Sequence, residues 1–138
     1  MLRGLATVSF WAADLPAARA WYADLLGVEP YFERSGPDGR SAYCEFRLGD
    51  HQDELGLIDR RYAPPGAAER PGGAIVYWHV DDVEAVVDRL LAAGAREYEP
   101  VRKRGDLGFV TASVVDPFGN VLGVMTNPHH VETHRLAS

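Results

Sequence analysis

The chain has 138 residues, 46% of them hydrophobic, with a formal net charge of −6 and one cysteine, Cys44. This length suits one compact domain that buries about two-thirds of the surface its unfolded form exposes, so staples are unnecessary. A lone thiol excludes an intramolecular disulfide or a zinc framework and points to a reducing cytoplasm. The acidic balance excludes a phosphate-wrapping surface, so no nucleic acid partner is expected.

No apolar run approaches a membrane span, and Asp14 and Pro16 interrupt the N-terminal stretch before it could read as a signal peptide. A soluble cytoplasmic protein is expected. Residues 5–12, LATVSFWA, have strand composition, and Asp14-Leu15-Pro16 has the form of a helix N-cap with proline in the first turn. Leu15, Ala18, Trp21, Tyr22, Leu25 and Leu26 then recur at helical spacing up to Gly27. Three strands are expected near 28–34, 41–48 and 54–60, separated by SGPDGR and GDHQD, where His51 should face water in a turn. The proline- and glycine-rich YAPPGAAERPGG reads as a linker.

The order then repeats. AIVYWHV at 74–80 is a strand, Asp81 and Asp82 can cap, and Val83, Val86, Val87, Leu90 and Leu91 form a buried stripe up to Gly94. Strands follow near 96–102, 108–115 and 121–126, the last two joined by the tight turn DPFGN. Arg102, Lys103 and Arg104 mark a solvated hairpin tip. A shift of 68 residues lays Val8 on Val76, Phe10 on Trp78, Asp14 on Asp82 and Leu15 on Val83, as in a duplicated unit. The expected fold class is α+β, with two tandem βαβββ modules (about 5–61 and 74–127), a linker at 62–73 and a tail at 128–138. The sheets are expected to curve around a cleft, with the helices outside.

ADLPAARAWYADLLGVEPYF, VDDVEAVVDRLLAAGA and VVDPFGNVLGVM together resemble the vicinal oxygen chelate superfamily, over about residues 5–126. That superfamily includes glyoxalase I, extradiol dioxygenases and bleomycin-binding resistance proteins. The resemblance implies metal ligands on the first and fourth strands of each module, at positions that fall here on Thr7, Gly56, Ile75 and Gly123. Glycine and isoleucine offer no donor and threonine only a weak hydroxyl, so no metal and no cofactor is expected. A slip in the first module would recover one carboxylate, Glu54 or Glu45, and one ligand does not make a site. His129, His130 and His134 lie in the terminal tail, where the last two would share a helical face if helical.

Strand alternation puts Thr7, Ser9 and Trp11 on the free face of the first module with Glu54, Gly56 and Ile58. The second module offers Ile75, Tyr77 and His79 with Val121, Gly123 and Met125, while Val76, Trp78 and Val80 pack under the helix. These residues make an expected pocket for a small aromatic or amphipathic molecule, with glycines widening its floor. The expected function is sequestration by a metal-independent binder. The alternative is an isomerase or lyase, or a dioxygenase-like enzyme, using His79 or Glu54 as acid or base. A homodimer is expected because open sheet edges need cover.

Overall fold

The computed structural model describes residues 1–137, with side chains through Arg135. It divides into two compact units, Met1–Glu69 and Arg70–Ser138. The first contains β1 (Val8–Ala12), α1 (Leu15–Leu26), β2 (Phe32–Ser35), β3 (Ser41–Leu48), β4 (Asp53–Asp59) and a short 3-10 turn (Arg60–Tyr62). The second contains β5 (Tyr77–His79), α2 (Val83–Ala92), β6 (Arg96–Arg104), β7 (Phe109–Val115), β8 (Val121–Thr126) and α3 (Pro128–Ala137). Each unit is a four-stranded mixed sheet, ordered β1-β4-β3-β2 and β5-β8-β7-β6, with the first strand parallel to the fourth. This is an α+β fold of two open sheets with helices, and no described helix is long and apolar enough to cross a membrane.

α1 forms where its caps dictate. The Asp14 carboxylate accepts the Ala17 N–H at 3.1 Å, and Gly27 closes the helix at φ 68°, in the left-handed region that favours glycine. Leu15, Ala18 and Tyr22 are buried on the same face, against the β1–β4 and β3 residues Val8, Phe10, Phe46, Leu55 and Leu57. Cys44 joins that core with no exposed surface. Burying each such large side chain contributes about 1.5–3 kcal/mol. α2 repeats the arrangement: Asp82 accepts the Ala85 N–H, and Val83 and Leu90 pack with Ala112, Val114, Leu122 and Val124.

The differences from the sequence reading have local causes. β2 begins at Phe32, because Pro30 has no N–H for a ladder and pairing starts with the Tyr31 N–H bonding the Glu45 carbonyl. β5 spans three residues, so Ile75 and Val76 precede it, although the Val76 carbonyl still accepts the Gly123 N–H at 3.0 Å. Leu91 is 39% exposed, since Leu90 already occupies the centre of the stripe. The expected tail contains a helix, α3. Asn127 Oδ1 accepts the His129 and His130 N–H groups, and Pro128 takes the first helical position. Asn127-Pro128 carries that start signal in the sequence.

Candidate functional site

Cross-strand partners share a sheet face, so the register assigns the open faces. In the first unit one row is Ser9, Gly56, Glu45 and Phe32, and the next is Trp11, Ile58, Tyr43 and Arg34. Glu54 pairs with Arg47 in a third. The intervening residues Val8, Phe10, Leu55 and Leu57 are buried under α1, so Ser9, Trp11, Glu54, Gly56 and Ile58 do lie on one face. Thr7 sits one residue before β1 and is exposed.

The glycine at the middle of this face does not widen a floor. A Cβ on Gly56 would meet the Tyr43 ring at 2.9 Å, because that ring lies across the strand at this point. The Tyr43 hydroxyl donates to one Glu45 oxygen, and the Tyr31 hydroxyl bonds the other. Tyr31 also lies 2.8 Å from Glu54 Oε2. The Arg47 guanidinium stacks on the Tyr31 ring at 3.9 Å. Two phenols and two carboxylates are thus joined in one network.

The carboxylates hold both phenols protonated. Hydrogen bonds to Glu45 and then to Glu54 push Tyr31 up to about 12. Tyr43 is raised further, first by burial and then by its bond to Glu45. The sequence reading named Glu54 and weighed Glu45 only as a slipped ligand, and it missed Tyr31 and Tyr43. The two-residue spacing of Tyr43 and Glu45 on one strand was the available signal for the latter pair. Beside Tyr43 and Ile58 lies an open hollow of about 370 Å³, bounded also by Arg34, Gly36, Pro37 and Tyr62.

In the second unit Tyr77, Gly123 and Ser113 form one row, and His79, Met125 and Thr111 the next. Val121 pairs with Val115 and is buried. Here too the glycine is covered: a Cβ on Gly123 would stand 2.8 Å from Tyr77 Cδ1 and 2.9 Å from Ile75 Cγ2. His79 turns its Nδ1 to the Asn127 N–H at 3.1 Å, so a neutral ring carries its proton on Nε2, 3.8 Å from Asp81 Oδ1. Its ring stacks on His130 at 5.0 Å, and the His134 ring lies tilted against His130 with centroids 3.9 Å apart. His79 therefore joins the end of β8 to α3, and its Nδ1 lone pair is engaged in doing so.

The residues do not fit the metal that the resemblance implies. Gly56 and Gly123 carry no donor and are covered by tyrosine rings, and Ile75 packs its Cγ2 toward Gly123. Among the described residues no group of three or more His, Cys, Asp or Glu is placed to hold a metal ion.

Residues 4–124 match the family model described as the glyoxalase/bleomycin resistance protein/dioxygenase superfamily. Proteins named "Putative glyoxylase CFP32" from Mycobacterium bovis and Mycobacterium tuberculosis are 30% identical over 125 residues, covering 90% of this chain and 46% of theirs. The chain thus spans about half the length of these curated relatives. A superfamily member from Sphaerobacter thermophilus aligns with a TM-score of 0.70 at 18% identity, covering 91% of this chain and 98% of that one. A glyoxalase-related enzyme from Fulvimarina pelagi aligns at 0.69 with 22% identity, covering 92% and 90%. These likenesses show the fold.

Proposed function

Because the chain belongs to the glyoxalase/bleomycin resistance protein/dioxygenase superfamily, we propose that it is a metal-independent member that binds a small aromatic or amphipathic organic molecule. The ligand lies on the open face of the first sheet. The observation that carries this reading is the exchange of chemistry at the superfamily's ligand positions. Where a metal site needs donors, this chain has Gly56 under the Tyr43 ring, and the polar groups nearby are tied to phenols.

Several features support an organic ligand. Trp11, Tyr43 and Ile58 share a row and offer flat apolar surface. The adjoining hollow of about 370 Å³ falls in the size range of small-molecule sites. Glu45 and Glu54 supply acceptor oxygens for a donor group on the ligand, which orients it.

Native mass spectrometry of freshly purified protein tests the proposal. The expected spectrum has no stoichiometric metal, and a retained organic ligand raises the melting temperature equally with and without EDTA, as linkage requires of a ligand that binds only the folded state. A stoichiometric metal whose removal by EDTA lowers the melting temperature would overturn it.

A further inference from the structure

The row that crosses the first sheet through Trp11, Ile58 and Tyr43 ends on the edge strand β2 at Arg34, so an apolar strip leads to a guanidinium. Just past Arg34 the β2–β3 ladder loses its regular register, between Arg34 and Ser35. Irregularities of this kind on edge strands re-aim side chains. Arg34 stands here on the rim of the hollow of about 370 Å³, together with Pro37, Ala42, Tyr43, Ile58 and Tyr62.

The charges around it already have partners. Both Glu45 oxygens are bonded by the Tyr31 and Tyr43 hydroxyls, and Glu54 is bonded by Tyr31. Arg47 stacks on the Tyr31 ring. In the hairpin, Arg61 bonds Asp38 and lies over the Tyr62 ring, and Arg40 is 3.8 Å from the same Asp38 carboxylate. Arg34 is exposed and makes no hydrogen bond or ion pair with any described residue. The phenols thus take up the acidic oxygens of this face, and one cation beside the hollow is left without a counter-charge.

We propose that this hollow takes a small aromatic carboxylate, with its ring on Tyr43 and Ile58 and its carboxylate on Arg34. The proposal rests on the first-sheet reading above and adds the sign and the place of the ligand's charge. A guanidinium presents a planar fork of N–H donors that matches the two oxygens of a carboxylate. Neighbouring strands stand about 4.8 Å apart, so Arg34 and Ile58, two strands from each other, are separated by about 10 Å. That is the length of an aromatic ring bearing a short acid side chain. The chain as a whole has a net charge of −6, so its general field does not draw in an anion, and binding of one reports a local partner.

The test is a titration of the full 15N-labelled chain with three compounds that share one ring and differ in charge: indole-3-acetate, indole-3-acetamide and tryptamine. Indole-3-acetate should give saturable shifts at the backbone amides of Arg34, Tyr43 and Ile58. It should bind about tenfold tighter than the amide, the worth of one charge-assisted hydrogen bond, with tryptamine weakest. Arg34→Gln should bring the acid down to the level of the amide and leave the amide's affinity as it was, whereas Arg34→Lys should keep part of the preference. The Arg34→Gln chain should melt where the original does, because this side chain bonds nothing in the fold, so a lost preference is separated from unfolding. Equal affinity for acid and amide, tighter binding of tryptamine, or a preference that survives Arg34→Gln would overturn the anionic class and leave the first-sheet reading standing. An absence of saturable shifts at Tyr43 and Ile58 with all three compounds would overturn this proposal too, while the metal content seen by native mass spectrometry judges the wider reading independently.

Discussion

Gly56 and Gly123 differ in what a methyl group would strike. At Gly56 the obstacle is the Tyr43 ring, which has a side chain's freedom to shift. At Gly123 the Val76 carbonyl also lies 2.8 Å away, and that atom belongs to backbone whose carbonyl accepts the Gly123 N–H. Replacing glycine by alanine in a strand gains roughly 0.5–1 kcal/mol from the unfolded chain, against about 1–3 kcal/mol for overpacking. Gly123→Ala is therefore expected to lose about 1–2 kcal/mol by urea denaturation, and Gly56→Ala clearly less. Equal losses would contradict the backbone clash.

The phenols make a second residue-scale prediction. Tyr31 is raised in the folded state by its bonds to Glu45 and Glu54, so its contribution to stability is complete below pH 10, the ordinary value, and is lost as pH rises through about 12. In an absorbance titration, Tyr31 and Tyr43 should ionise well above the ordinary tyrosine value. Tyr31→Phe should remove one late step. Two prompt ionisations in their place would dissolve the network. These partners could not be found by spacing alone, because Tyr31 precedes β2 and meets Glu45 and Glu54 only through the fold.

At the scale of elements, helix α1 was legible because Asp14, Pro16 and Gly27 are local signals that act within a turn. β3, β7 and β8 were read nearly to the residue, since turn residues bound them: Gly49 and Asp50 after β3, Gly105 and Asp106 before β7, and Asp116-Pro117-Phe118-Gly119-Asn120 between β7 and β8. β5 was overread at its start, because composition shows that a segment can be extended and does not show which residues a neighbouring strand pairs. The same limit hid the role of His79, whose partner Asn127 is 48 residues away. His79→Ala should leave the sheet intact and loosen α3, seen as faster hydrogen exchange at residues 131–135, whose helical N–H groups depend on that helix persisting. Unchanged exchange there would remove His79 from the role of holding that helix.

Across the whole molecule the duplicated plan is shared and the chemistry has diverged. The offset of 68 residues aligns β1 with β5 and α1 with α2, and shortens by one at the fourth strands, where Gly56 corresponds to Gly123. Equivalent positions then hold Glu45 in one unit and Ser113 in the other, so the sheet faces turned away from α1 and α2 carry different hydrogen-bonding groups. An order of elements can be read twice along a chain while the function of each copy must be worked out from its own side chains.

Cys44 turns this division into something a spectrophotometer can follow. The chain's one thiol sits at the bottom of the first unit's core, and burial pushes it up to about 12, so it is closed to reagents in the native protein. Its reaction with Ellman's reagent is a clock that starts only when the first unit opens. Leu57→Ala, which should cost about 2–5 kcal/mol beside it, should speed the clock, whereas Leu90→Ala in the second unit should leave it unchanged. If both substitutions quicken it equally, the two halves open as one cooperative block.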